Sequence, residues 1–140
     1  MKETLLLTKH MREFPENSHK LEVFEKNNGY SALKKVLKDN DPESVINEIK
    51  DSNIRGRGGA GFPTGVKWGF LAEDEDRYLV INGDESEPGT FKDRILLERD
   101  PHQLIEGVAI TCFASNIKKA FIYIRGCLLY TSDAADELCS

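Results

Sequence analysis

Long apolar runs are missing from this 140-residue chain: stretches such as Leu5-Leu6-Leu7 and Tyr78 to Ile81 are the kind it has. A membrane helix needs roughly 20 such residues in a row, so we expect no direct membrane insertion. Cysteine is scarce as well. Cys112, Cys127 and Cys139 form no C-x-x-C pair and match no zinc or iron–sulfur ligand spacing, so Cys112 reads as a small core residue. Positive charge is not in excess, with 19 Lys and Arg against 24 Asp and Glu and a formal charge of -5. Nucleic acid is therefore not the expected ligand, because phosphate backbones are held by clustered basic residues. The start, Met1-Lys2-Glu3-Thr4, carries an acid and no h-region, and reads as a mature terminus in the reducing cytoplasm.

What is present is an ordinary globular composition, 39% hydrophobic and 31% charged, sufficient for one modest core. Residues 1–28 have weak periodicity and several turn formers, including Pro15, Asn17 and Asn27-Asn28-Gly29, and predict an extended arm. A short helix is expected over Tyr30 to Lys38, with Leu33, Val36 and Leu37 on one face. Asp41 and Pro42 then start a helix whose buried stripe is Val45, Ile46 and Ile49.

Arg55 to Gly65, RGRGGAGFPTG, holds five glycines and a proline in eleven residues and is expected to be a loop. Tyr78 to Ile81 predicts a strand buried on both faces at the centre of a parallel sheet. Thr90-x-x-Asp93 fits a capping box for a helix through Glu98. Asp100-Pro101-His102-Gln103 starts another, with Leu104, Ile105, Val108, Ala109 and Cys112 at helical spacing. Ala120 to Arg125 closes the pattern as a strand. Strand, helix, strand implies a βαβ unit and an α/β fold.

Two loops are candidates for chemistry. Gly56-x-Gly58-x-x-Gly61 matches the dinucleotide fingerprint by letter, but it follows a predicted helix rather than a strand. Bare backbone flanked by Arg55, Arg57 and Lys67 suits a phosphorylated or planar cofactor; a tight crossing loop with solvated basic residues fits the same letters. The second loop, Asn82 to Gly89, follows the predicted central strand, where α/β sheets place ligands. Its acids Asp84, Glu85 and Glu87 suit ribose or ribityl hydroxyls, or less well a divalent cation, or simply an acidic turn. Phe62, Trp68 and Phe70 are candidate stacking rings or plain rim residues. His10, His19 and His102 read as surface or capping residues.

Taken together, RGRGGAGFPTGVKW, YLVINGDESEPGTFKDR, DPHQLIEG and FIYIRG resemble the NADH-binding flavoprotein subunit of respiratory complex I, NADH:quinone oxidoreductase, over about Leu5 to Gly126. The resemblance implies a Rossmann-like parallel sheet, incomplete at its C-terminal end and preceded by an extended or helical arm. It implies domains at 1–52 (arm and helices) and 53–126 (partial FMN/NADH-binding α/β domain). Gly56, Arg57, Gly58 and Lys67 would wrap flavin mononucleotide, FMN, with Gly59, Ala60, Phe62 and Phe70 on the NADH side. Asn82, Asp84 and Ser86 would contact the flavin and Glu87 the nicotinamide nucleotide. No catalytic acid or base and no metal ligand is implied in this stretch. A 4Fe–4S cluster would belong only to a missing C-terminal part. The implied partners are NADH and other peripheral-arm subunits of complex I, above all a thioredoxin-like 2Fe–2S subunit, at the inner face of the bacterial cytoplasmic membrane. A diaphorase subunit of an NAD-linked hydrogenase or formate dehydrogenase shares both loops, and a non-catalytic binding fragment is the reading from another class. A 140-residue piece is expected neither to hold flavin tightly nor to turn over.

The last fourteen residues, CLLYTSDAADELCS, fit neither a strand's alternation nor a capped helix. They resemble the translation of a transposase adapter from sequencing libraries, and we expect residues 127–140 to be foreign to the protein. An independent nucleotide sequence across the Gly126–Cys127 junction checks this; family-like sequence continuing in frame on both sides overturns it.

Overall fold

The computed structural model describes residues 5–39, 41–72 and 76–126. Nine elements follow one another among them: α1 (Lys9–Glu13), α2 (Leu21–Lys26), α3 (Ser31–Asp39), α4 (Pro42–Asp51), α5 (Thr64–Trp68), β1 (Tyr78–Gly83), α6 (Lys92–Arg99), α7 (Pro101–Ala114) and β2 (Lys119–Ile124). β1 and β2 pair in parallel with α6 and α7 between them in sequence, which is the expected βαβ arrangement. The tail expected to be foreign lies outside the described residues.

The chain divides into two compact units. One gathers Val80–Ile105 with described residues from 5–30 and 121–126; the other gathers those of Ser31–Leu79 with Glu106–Ala120.

In the first unit the stretch expected as an extended arm is instead helical at α1 and α2. The reason is an aromatic cluster that no local pattern announces. Phe24 is buried, and the rings of His10, Tyr30 and His102 lie 5.4, 5.1 and 5.7 Å from it. Ring pairs at such separations add to the area they bury. Gly29 completes the packing, since a Cβ there would fall 2.1 Å from Phe24 Cδ1. Tyr30 sits at φ 59, a left-handed backbone that is costly for a bulky residue. Its ring contact with Phe24 and its hydroxyl's hydrogen bond to His102 Nδ1 at 2.9 Å hold it there.

His10 and His102 are therefore not the surface residues expected; only His19 is exposed. His10 Nδ1 reaches the fully buried Asp100 Oδ1 at 3.3 Å. Burial pushes the Asp100 carboxyl above its ordinary range, while the charge and hydrogen bond of His10 and the Gln103 amide work against that rise. Asp100 thus caps α7 as expected and also ties α1 to it across ninety positions of sequence.

In the second unit α3 and α4 form where predicted. Asp41 Oδ1 accepts from the Ser44 amide at 3.3 Å, and Val45 is buried with Ile46 and Ile49 half-buried beside it. α3 buries less than its pattern promised, for Leu37 is exposed. Glu106 accepts the Leu33 amide at 3.1 Å.

The strand prediction fails in one respect. β1 runs to Gly83 and alternates between exposed and half-buried positions before the buried Gly83, with Val80 64% exposed, and β2 is exposed along most of its length. A continuous apolar run suggested cover on both faces, but among the described residues the sheet has two strands and no flanking one.

Helices α4 and α5 meet backbone to backbone. A Cβ on Gly65 would stand 2.6 Å from Lys50 N and 2.8 Å from Lys50 Cα, and such overlap with main chain is relieved only by moving a helix. Gly65→Ala is predicted to destabilise the fold by about 1–3 kcal/mol, the usual range for overpacking. Urea denaturation checks it, and an unshifted midpoint would remove this contact from the account.

Candidate functional site

Between α4 and α5 the glycine-rich loop is closed like a clasp. The Thr64 amide donates to Ile54 O and the Gly56 amide to Phe62 O, both at 2.9 Å, and Arg55 and Pro63 face each other across an antiparallel bridge. Arg55 Nη1 adds a bond to Gly61 O at 3.4 Å. The loop is shorter than its letters suggest, because Thr64 and Gly65 already belong to α5. Gly59 and Gly61 sit at φ 114 and 62, backbone that side chains adopt at a cost. A Cβ on Gly58, Gly59 or Gly61 would meet nothing within 4 Å. Close packing within the chain therefore does not account for a bare backbone at Gly58.

The loop walls an open cleft of about 440 Å³, within the roughly 300–1,000 Å³ of small-molecule sites. Of the expected residues, Gly56, Gly58, Ala60, Phe62 and Lys67 line it. Phe70 reaches it only through its neighbour, its ring 6.0 Å from that of Phe62. Arg57 and Gly59 stand on the loop with exposed positions. The opposite wall was not anticipated: Tyr78 and Leu79 come from the start of β1, and Thr111, Ser115 and Ile117 from the end of α7 and just beyond. Trp68 also lines the cleft. Thr111 and Ser115 gave no signal in the sequence, because single small hydroxyl residues at the end of a half-buried helix look like ordinary helix positions.

The second loop, in the other unit, folds on itself. The Asp84 amide donates to Asn82 Oδ1 at 2.9 Å and Ser86 Oγ donates to Asp84 Oδ2 at 2.5 Å, while Glu87 is exposed. Asn82, Asp84 and Ser86 thus form one polar turn, with Glu87 at its rim. Among the described residues no group of three or more His, Cys, Asp or Glu is gathered to hold a metal ion, and the acids here do not make a cation cage.

Glu85, grouped above with the loop's other acids, does something else. Its two carboxylate oxygens accept the amides of Asp93 at 2.8 Å and Arg94 at 3.0 Å, the orphan donors at the start of α6. The expected capping box is therefore absent: Phe91 occupies the cap position and Thr90 makes no cap bond. A carboxylate from eight residues upstream replaces it. Partial desolvation works to raise the Glu85 pKa, but the two amides and the charge of Lys92 outweigh it and hold the group below the ordinary glutamate range.

The stretch that holds both loops matches a known family. Residues 49–137 match the Nuo51 FMN-binding domain, more than half of the chain. The chain belongs to this family. Its relatives include an NADH-quinone oxidoreductase subunit of Rhizobium meliloti (strain 1021), 53% identical over 79% of this chain and 27% of that protein. The corresponding NADH-quinone oxidoreductase subunit of Escherichia coli (strain K12) is 45% identical over 76% of this chain and 24% of its own length. The chain thus spans about a quarter of the length of these relatives. Among solved structures, the NAD+-reducing [NiFe]-hydrogenase in its air-oxidised state aligns with TM-score 0.60 and 46% identity, covering 70% of this chain and 18% of that one.

The residues fit the flavin that this family is named for. A glycine backbone without Cβ atoms faces open space, a lysine lies on the same cleft, and the remaining lining is largely apolar. A planar ring with a phosphate tail needs all three. In this Nuo51-type chain the second loop's place depends on Glu85. The Glu85 carboxyl has a lowered folded-state pKa, so its contribution is present above the ordinary glutamate range and is lost as pH falls below that range. Amide-exchange protection at Asp93 and Arg94 should fall across that window. In Glu85→Gln it should be low already at pH 7, and equal protection in both proteins at pH 7 would remove Glu85 as the cap.

Proposed function

We propose that this chain is the amino-terminal part of a subunit that oxidises NADH by hydride transfer to FMN and feeds electrons to the iron–sulfur clusters of NADH:quinone oxidoreductase. The observation that carries this reading is the glycine loop itself. In a chain of the Nuo51 FMN-binding family, its Gly58 backbone lies bare on a cleft that Lys67 shares.

Bound FMN supplies a two-electron acceptor that can release electrons singly. The chain's own residues bind and orient. Gly56, Arg57 and Gly58 let amides approach the nucleotide closely, and Lys67 brings a positive charge for its phosphate. Gly59 and Ala60 leave the outer side of the loop low enough for NADH, and Phe62 with Phe70 offers it a paired aromatic face. Asn82, Asp84 and Ser86 present acceptors and a hydroxyl to the flavin's ribityl chain, with Glu87 toward the nicotinamide nucleotide. No side chain of this segment is assigned a proton-transfer role.

The names of the relatives support a multi-subunit setting. The partners proposed are other peripheral-arm subunits, notably a thioredoxin-like 2Fe–2S protein, with a 4Fe–4S cluster held by the part of a relative-length chain that follows. Attachment to the inner face of the bacterial membrane would come through those partners; no helix among the described residues is long and apolar enough to cross a membrane. Similarity to the NAD+-reducing hydrogenase favours, as second reading, a diaphorase subunit with the same chemistry.

Two features suggest that the 140-residue piece is inactive alone. Val80 and Tyr123 are 64% and 60% exposed on the sheet, and about three quarters of a relative's length lies outside the match. The test is to express the complete reading frame and, separately, residues 1–126. The complete protein should carry FMN and reduce ferricyanide with NADH, whereas the short piece should do neither. A complete protein without flavin or NADH-linked reduction would end this reading. Co-purification with a hydrogenase subunit in place of quinone-reductase subunits would move it to the diaphorase.

A further inference from the structure

Ser115, just past the end of α7, is 4% exposed and lines the glycine-loop cleft, yet its Oγ has no hydrogen-bond partner. Its neighbour on that wall is different: Thr111 Oγ1 already donates to Gly107 O at 2.7 Å. Ser115 is also held in place. Arg77 Nη1 donates to Ser115 O at 3.0 Å, setting a guanidinium against the carbonyl end of α7, where a cation is favoured. Arg77 Nε is itself buried without a partner.

A buried hydroxyl that hydrogen-bonds nothing is costly and uncommon in a native fold. A serine side chain turns between staggered rotamers about Cα–Cβ and its hydroxyl about Cβ–Oγ, so Ser115, on the wall of the cleft, can turn its hydroxyl out to a group seated there. We infer that the Ser115 hydroxyl is a further cofactor contact of this cleft, donating to an oxygen acceptor of the flavin nucleotide, with Arg77 as the positioning residue that fixes it. This rests on the flavin reading proposed above. The acceptor is either a ring or ribityl oxygen or a phosphate oxygen, and the two are separable because riboflavin lacks the phosphate.

The experiment is fluorescence titration of the complete apoprotein, wild type and Ser115→Ala, with FMN and with riboflavin, alongside thermal melts without flavin. The contact predicts FMN bound roughly fivefold or more weakly by Ser115→Ala. It also predicts an apoprotein melting temperature that is unchanged or raised, since the variant loses an unsatisfied hydroxyl. A loss shared by riboflavin places the acceptor on the ring or ribityl chain; a loss confined to FMN places it on the phosphate. Arg77→Gln should weaken FMN in the same direction and add nothing when combined with Ser115→Ala. Equal FMN affinity in wild type and Ser115→Ala overturns the proposal, as does a weakened affinity accompanied by a lowered apoprotein melting temperature, which would make the hydroxyl structural. If wild-type complete protein binds neither flavin, the flavin reading of the cleft fails first.

Discussion

The backbone contact between Gly65 and Lys50 sets the geometry on which the candidate site depends. Without a Cβ at position 65, α5 lies directly on the last turns of α4, and the residues between the two helices have to double back. Their ends are then close enough for the amides of Gly56 and Thr64 to reach carbonyls across the clasp. The tip consists of residues that need no packing of their own. A larger residue at position 65 would open the clasp, and the loop would lose the shape that turns its bare backbone toward the cleft.

Carboxylates at helix starts provide a second kind of order, and the three cases differ in reach. Asp41 caps α4 from the adjacent position. Glu85 caps α6 from eight residues upstream and thereby fastens the second loop to that helix. Asp100 is adjacent to α7 but buried, and its partner His10 stands ninety positions away. The same chemistry, an anion against amides carrying the positive end of the helix dipole, serves in turn as a local stop, a loop anchor and a tertiary tie. Burial raises the Asp100 pKa, whereas the amides around Glu85 outweigh its slight desolvation and lower its own.

Much of the local structure could be read from letters because its causes are local. Pro42 after Asp41, Pro101 after Asp100 and the run from Leu104 to Cys112 specify helices through caps and spacing that lie within one window. Tyr78 to Ile81 and Ala120 to Ile124 specify strands through β-branched and aromatic content. The order strand, helix, strand likewise pointed to an α/β fold, whereas the glycine loop by its letters alone left a cofactor cradle and a plain crossing loop both open. The extended arm was misread because Phe24 is buried among the rings of His10, Tyr30 and His102, and the last of these lies far outside a window of a dozen residues. Thr90 was misread as a cap because Glu85 competes for the same amides and brings a full negative charge.

By itself, then, the sequence determined helices α3, α4, α6 and α7, both strands, the glycine-rich loop, and the motifs that align this chain with the Nuo51 FMN-binding family. The tertiary structure alone decided that Thr111, Ser115 and Tyr78 share a cleft with the glycine loop. It also decided that half-buried His10 bonds the buried Asp100 and that one face of the sheet is exposed. The division has a physical cause. Backbone preference and capping act over a few residues and leave a mark in each of them, whereas a cavity wall or a buried hydrogen-bonded pair joins residues tens of positions apart through contacts that no single segment encodes.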